Sequence, residues 1–297
     1  MIENPRSGQT EGKTAAFGET LAREGVYVVH RRLDEGPLDA LLQDADQFQA
    51  VVAAGGDGTV SAVAHALIGR ATPLLAYPAG TANLIAQNLH LPGDPAGLAG
   101  VLLAGRSLTV DLAELELAGR TLGFTMLAGV GADAAMIRDS EALKAQFGVG
   151  AYVVAALRQV NHPRVPFRLT VDGQAHEIEA VAVMVANFGM ANFRLPIAGG
   201  ISPTDGRLAV VVVTGTHRLG LIPDFINSVR SRLSLGDPQF TGNLEVFQAR
   251  EVRVEADRPL PVQYDGETCE DATAFTARVL PDAARFLTSV TAEDLLT

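Results

Sequence analysis

Up to Val110, apolar runs rich in β-branched residues alternate with Ala- and Leu-rich stretches: Val26–His30, Leu38–Leu42, Val51–Ala54, Val60–Ile68, Leu74–Tyr77 and Leu84–Leu89. That alternation predicts βαβ units on a parallel sheet. Within the third helical stretch, Val60, Val63, Ala64, Leu67 and Ile68 recur at helical spacing and Gly69 stands where the helix should end. One stripe of that helix is expected to face the sheet. From about Leu108 the texture changes to strand-like runs broken by tight-turn pairs: Leu112–Leu117 before Ala118-Gly119-Arg120, Phe167–Val171 before Asp172-Gly173, and Leu208–Val213 after Asp205-Gly206. Such punctuation predicts antiparallel hairpins. The chain thus divides into an α/β domain over 1–115 and an antiparallel β domain over 116–280. Ala132–Gln159 and Gly220–Leu233 still read as helices in the second half, and the tail 281–297 reads as a last helix that joins the first domain.

Composition narrows the function classes. At 297 residues and 47% hydrophobic, the chain can bury more than one sizeable core. Its 23 Lys+Arg against 34 Asp+Glu give a formal charge of −11, which opposes unaided attraction to nucleic acid or an anionic bilayer. A polyanion-binding role is disfavoured. The single cysteine, Cys269, has no intrachain partner, and Met1–Pro5 lacks the basic and apolar regions of a signal peptide. A cytoplasmic protein is expected. No apolar run approaches the roughly 20 residues of a membrane-spanning helix, so membrane contact is expected to be peripheral at most. One stripe suits such contact: Ile222, Phe225, Ile226, Val229 and Leu233, with Arg218, Arg230 and Arg232 nearby, could dock on a bilayer or cover the β domain.

The most informative stretch is Ala53-Ala54-Gly55-Gly56-Asp57-Gly58-Thr59, which follows a buried-strand run and opens the amphipathic helix. Its glycines let the backbone bend and approach a bulky anion, and the helix N-terminus offers free N–H groups and the positive end of the dipole. A phosphate cradle is the natural reading. Asp57 would be repelled by bare phosphate, so it points either to Mg²⁺ or a hydroxyl between them, or to simple capping of its own helix. Tyr77-Pro78-Ala79-Gly80-Thr81-Ala82-Asn83-Leu84 forms a second strand-to-helix junction, with Gly80 in the turn and Thr81 as the expected N-cap. The two junctions should lie side by side at the carboxyl ends of neighbouring strands. Asn4-Pro5-Arg6-Ser7-Gly8 is a third such turn, after a strand that must be very short. Near the C-terminus, Tyr264-Asp265-Gly266-Glu267 offers either two carboxylates on one face of a strand or an ordinary Asp-Gly hairpin turn.

Other chemistries find little support. Gly8-Gln9-Thr10-Glu11-Gly12-Lys13-Thr14 has three residues between its glycines where a P-loop has four. Gly129-Val130-Gly131-Ala132-Asp133-Ala134 fits the dinucleotide fingerprint but lacks the acidic residue that should end a second strand, so close backbone packing is the better reading. There is no Gly-x-Ser-x-Gly elbow, no His-Glu-x-x-His helix and no Cys/His cluster among the six histidines and one cysteine.

Taken together, Asn4–Gly8, Gly55–Thr59, Pro78–Asn83, Gly129–Asp133 and Asp265–Glu267 resemble the diacylglycerol kinase catalytic-domain family, including soluble bacterial lipid kinases and their sphingosine kinase relatives. The resemblance covers nearly the whole chain, and it is the combination that is specific. It implies a Rossmann-like α/β nucleotide domain, a C-terminal β-sandwich domain and a cleft between them for ATP and lipid. It further implies ATP contacts at Asn4, Pro5, Ser7, Gly8, Gly55, Gly56, Asp57, Gly58, Thr59, Gly80 and Thr81. By the same resemblance Glu267 would be the general base and Asp265 its neighbour, with Asp57 and Asp111 in an acidic network linked to Mg²⁺. A further metal would be held by the loop Ser202–Arg207, through the Asp205 carboxylate and the carbonyls of Ser202 and Arg207.

Two departures from the family pattern stand out. Leu84 occupies a place where many members carry Asp, and Arg31-Arg32 stands where a nucleotide-contacting Thr is expected after the second strand. The reading is therefore an ATP- and Mg²⁺-dependent lipid kinase with diacylglycerol as first acceptor. Sphingoid-base kinases, NAD kinases, which share Gly-Gly-Asp-Gly-Thr, and a non-catalytic lipid-binding protein remain as alternatives. The expected partners are ATP, a lipid, a peripheral membrane surface and a second copy of the chain in a homodimer.

Overall fold

A computed structural model of the chain describes residues 1–7, 12–131, 164–188, 202–214, 244–269 and 273–291. They fall into two compact units, one of Met1–Leu112 with the stretch that starts at Asp282, the other of Ala113–Pro281.

The first unit is built from β1 (Ile2–Glu3), α1 (Lys13–Arg23), β2 (Arg31–Arg32), α2 (Leu38–Leu41), β3 (Val51–Gly55), α3 (Asp57–Ala66), β4 (Leu74–Pro78), α4 (Leu84–Asn88) and α5 (Pro95–Ala104). Its strands run in the order β2-β1-β3-β4 and are parallel throughout, with Ile2 opposite Ala53 and Val51 opposite Leu74. Every residue of β3 is buried, as a parallel sheet covered on both faces requires. Val52, Ala54, Leu75 and Tyr77 pack with Phe17 and Leu21 of α1 and with Leu98, Ala99 and Val101 of α5. The rings of Phe17 and Tyr77 meet edge-on at 5.1 Å. On α3 the predicted stripe is buried at Val60, Val63, Ala64 and Leu67, while Ile68 is 43% exposed beyond the helix end and Gly69 takes φ +80°.

Four elements differ from expectation. The second strand is Arg31–Arg32 rather than Val26–His30, because β1 is two residues long and its backbone reaches only that far: Arg31 N–H donates to Met1 O, and Leu33 N–H to Glu3 O. Helices α1 and α5 were not anticipated, although Asp94-Pro95 is a legible start, with Asp94 Oδ1 accepting from Gly97 N–H and proline at the first helical position. The stretch from Pro281 continues a strand instead of starting a helix, since β16 (Phe275–Leu287) runs on until Phe286 pairs in parallel with Leu74.

The chain passes into the second unit within β5 (Ser107–Leu117) and leaves it within β16. Here β5 turns through Ala118-Gly119 into β6 (Arg120–Phe124), and β8 (Val165–Val171) turns through Asp172-Gly173 into β9 (Gln174–Ala180). Both turns have two consecutive positive φ values, +50° and +74° then +46° and +84°, which matches the twist of a two-residue hairpin. Strand β13 (Glu251–Ala256) pairs with β8 and with the first half of β16. A second sheet is antiparallel and contains β7 (Leu127–Gly131), β10 (Ala182–Ala186), β11 (Leu208–Val213), β12 (Leu244–Ala249), β14 (Val262–Tyr264) and β15 (Glu267–Cys269), in the order β12-β11-β10-β7-β14-β15. Its alternate residues Val130, Val183, Val185, Val210 and Val212 share one buried cluster with Phe167, Leu169, Val252, Val254 and Phe275 of the other sheet. That shared core makes the unit a β-sandwich. The glycine-rich Gly129–Gly131 lies in this sheet, where a Cβ on Gly131 would run into the Val181 carbonyl oxygen. Close packing, rather than a dinucleotide, accounts for it. The helices expected over Ala132–Gln159 and Gly220–Leu233, with the apolar stripe on the latter, lie outside the described residues.

Candidate functional site

Three strand ends meet in the first unit. After β1, the Asn4 N–H donates to Ala54 O on β3, and the Asn4 side chain donates from Nδ2 to Thr59 Oγ1 at 2.9 Å. Its Oδ1 accepts from Arg6 N–H, so Pro5 sits in a small turn that Ser7 closes by donating to Asn4 O. Gly8 lies outside the described residues. After β3, Gly56 is extended and takes the N-cap position of α3, which begins at Asp57. Amide groups at a helix N-terminus suit an anion. A Cβ on Gly55 would strike the Thr59 side chain, and one on Gly80 would strike the Gly56 Cα. The β3 and β4 junctions thus touch backbone to backbone, and Ala79 N–H donates across to Gly55 O at 3.1 Å. Glycine is required here by contact rather than by dihedral angle.

Asp57 caps the next helix. Its Oδ1 accepts at 2.8 Å from the N–H of Ile85, the second residue of α4, so the carboxylate ties one junction to the next. The expected N-cap Thr81 is exposed, and the capping position belongs to Asn83, in the left-handed region at φ +50°. The Asn83 side chain accepts from Gly80 N–H and donates to Gly80 O, both at 2.8 Å, which closes the loop that Gly80 opens. Leu84, at the place of the family's Asp, is the first residue of α4 and half-buried. Arg31 is held by Asp44 through two short hydrogen bonds, an interaction that raises the guanidinium's already high pKa, and Arg32 pairs with Asp34.

In the second unit, Asp265-Gly266 is the turn of the β14–β15 hairpin, with φ +42° and +94° and Tyr264 opposite Glu267. Of the two readings of this stretch the hairpin turn is the one observed: Asp265 is in the turn and Glu267 begins the next strand, so the two carboxylates do not share one strand face. The Asp265 carboxylate accepts from three successive backbone N–H groups, Thr125 at 2.6 Å, Met126 at 2.9 Å and Leu127 at 3.2 Å. Glu267 is exposed, and the Tyr264 hydroxyl donates to its Oε2 at 2.9 Å. Burial, then the bond to Glu267 and its charge, push the Tyr264 hydroxyl up to about 12. Sequence reasoning passed over Tyr264, although in a two-residue hairpin the residue before Asp-Gly is the cross-strand neighbour of the residue after it.

The residues read as metal ligands lie each in its own unit. Asp111 is 2% exposed on β5 and accepts from Asp282 N–H at 2.9 Å. In the loop before β11, the buried Ser202 exchanges a hydrogen bond with Thr204 Oγ1, Asp205 Oδ1 accepts from Arg207 N–H, and Gly206 has φ +69°. Among the described residues no group of three or more His, Cys, Asp or Glu side chains is gathered to hold a metal ion. No helix among them is long and apolar enough to cross a membrane.

Comparison with known proteins bears on this geometry. The family description "Diacylglycerol kinase catalytic domain" matches residues 1–115, and "YegS C-terminal NAD kinase beta sandwich-like domain" matches residues 126–288. A diacylglycerol kinase of Mycobacterium tuberculosis is 31% identical over 232 residues, 74% of each chain. A probable YegS-like lipid kinase of Klebsiella pneumoniae is 27% identical over 94% of this chain and 92% of its own. An uncharacterized protein of Synechocystis is 29% identical over 83% of this chain, which spans 56% of that protein's length. Among solved structures, a putative diacylglycerol kinase from Bacillus anthracis has the same fold with a TM-score of 0.70 at 23% identity, over 97% of this chain and 96% of that one. An NAD kinase from Archaeoglobus fulgidus in complex with ATP shares the fold more loosely, with a TM-score of 0.56 at 14% identity over 99% and 97% of the two chains.

Proposed function

The chain belongs to the family of bacterial lipid kinases that joins a diacylglycerol kinase catalytic domain to a YegS-type β-sandwich, and from that membership we propose that it transfers the γ-phosphoryl group of ATP to a lipid hydroxyl, with diacylglycerol as first acceptor. The observation that carries the proposal is the convergence of three junctions, through the Asn4–Thr59 bond and the Gly56–Gly80 contact, on the glycine-led start of α3. The residues suit a nucleotide: the glycines let the β3 and β4 junctions close on each other, Gly58 has open space where a Cβ would stand, and the first turn of α3 would offer amide groups to phosphate oxygens.

The oxygen donors of Asp57, Asp111 and the Ser202–Arg207 loop suit Mg²⁺ in kind, being hard carboxylate and carbonyl groups. Mg²⁺ bound with the nucleotide would supply neutralisation of phosphate charge. Within this reading Asn4 and Ser7 bound the nucleotide loop, with Pro5 as its turn. Gly55, Gly56, Gly58, Thr59 and Gly80 shape the cradle, with Thr81 beside it. Asp57 has two duties, since one oxygen holds α4 and its charge serves the phosphate site. Glu267 takes the proton of the acceptor hydroxyl, a group too poorly nucleophilic near neutral pH to attack unassisted, and such a base contributes about 10²–10⁴-fold.

Transfer of labelled phosphate from ATP to an extracted lipid pool tests the reading and identifies the acceptor. Labelled lipid is the expected product, and binding of lipid without any labelled product would favour a non-catalytic lipid-binding protein. Asp57→Asn sharpens the test, because the amide oxygen still accepts from Ile85 N–H while the charge is lost. Turnover should fall by about 10² or more with the melting temperature nearly unchanged.

A further inference from the structure

Glu267 is exposed at the first position of a short strand, and a glutamate side chain in that setting ordinarily spreads over many rotamers. A proton acceptor that wanders loses the benefit of position. Here two features restrain it. The hairpin is fixed at its tip by the Asp265 carboxylate, which accepts from the N–H groups of Thr125, Met126 and Leu127. The Tyr264 side chain packs against the buried cluster of the β-sandwich, so its hydroxyl is a donor anchored by the core. That hydroxyl meets Glu267 Oε2 at 2.9 Å across the hairpin. Oε1 has no hydrogen-bond partner among the described residues and is the oxygen left for a substrate proton.

We propose that Tyr264 is a positioning residue that holds the Glu267 carboxylate by one oxygen and leaves the other to receive the acceptor's hydroxyl proton, an inference that rests on the kinase reading for the identity of that proton. The geometry of a two-residue hairpin makes the pair obligatory neighbours, and the core anchors only one of them. Because its proton is retained up to about 12, the tyrosine remains a donor at every pH at which a carboxylate base works.

The test is Tyr264→Phe, which keeps the ring in the core and deletes only the hydroxyl. The expected result is a fall in kcat of about tenfold or more with the KM for ATP within about twofold of wild type. A merely structural role would lower the melting temperature without splitting kcat from KM. Wild-type kcat in Tyr264→Phe would overturn the proposal while leaving the kinase reading intact. Should the wild-type chain transfer no phosphate, the kinase reading and the proton role fall together, and the contact itself is still read by ultraviolet titration of tyrosinate in Glu267→Gln. If Tyr264 is bonded to the carboxylate in solution, one tyrosine ionises at lower pH in that variant than in wild type, and identical titrations would contradict it.

Discussion

The Asp172-Gly173 and Asp265-Gly266 hairpins are nearly the same object in two places of the β-sandwich unit. Each has Asp at φ near +45° followed by Gly at a larger positive φ, and each aspartate carboxylate accepts backbone N–H groups from a distant segment. Asp172 Oδ1 takes those of Arg250 and Glu251, and Asp265 takes those of Thr125, Met126 and Leu127. The flanking pairs differ: Val171 faces Gln174 in one hairpin, whereas Tyr264 faces Glu267 in the other. The fold therefore accounts for an aspartate in either turn, and the feature that calls for chemistry is the Tyr264–Glu267 pair. Asp265 resembles a strut whose counterpart, Asp172, lies outside the motifs that carry the family resemblance.

Replacing each aspartate by alanine tests whether the two turns are equivalent. Asp265→Ala should have the larger effect, because it strips the acceptor from three N–H groups and Thr125 is fully buried. At about 1–3 kcal/mol for a buried donor left unsatisfied, the melting temperature should fall by several degrees, with activity falling alongside it. Asp172→Ala orphans N–H groups of exposed residues that water can reach, so a loss below about 1 kcal/mol with unchanged turnover is expected. Thermal melts and the phosphate-transfer assay on the two variants read both quantities. A larger stability loss for Asp172→Ala, or loss of turnover in Asp265→Ala without loss of stability, would break the comparison and return Asp265 to a chemical role.

What was legible in the sequence was mostly local. Ala118-Gly119, Asp172-Gly173 and Asp265-Gly266 announce their hairpins because a type I′ turn demands two positive φ values, which few residue pairs tolerate. The glycines at Gly55–Gly56 and Gly80 point to junctions in close contact, and those junctions do touch. Partnerships across the fold were not legible. Asp57 looks like a cap for α3 because its own helix starts there, yet its acceptor duty is to Ile85, 28 residues on. Asp265 and Thr125 are 140 residues apart, and no spacing rule connects them. The tail misled for a related reason: Pro281 reads as a helix start, whereas pairing with Leu74 draws the chain into a sheet edge and Asp282 absorbs the bend at φ +53°.

The most direct test of the account is turnover by Glu267→Gln in the phosphate-transfer assay, with ATP affinity measured on the same preparation. The substitution keeps size and hydrogen-bonding capacity while removing the base. The account predicts a kcat reduced by about 10²–10⁴-fold with ATP affinity nearly kept and the melting temperature unchanged. A Glu267→Gln enzyme that retains more than about a tenth of wild-type kcat would contradict it, since a positioned base is worth more than that.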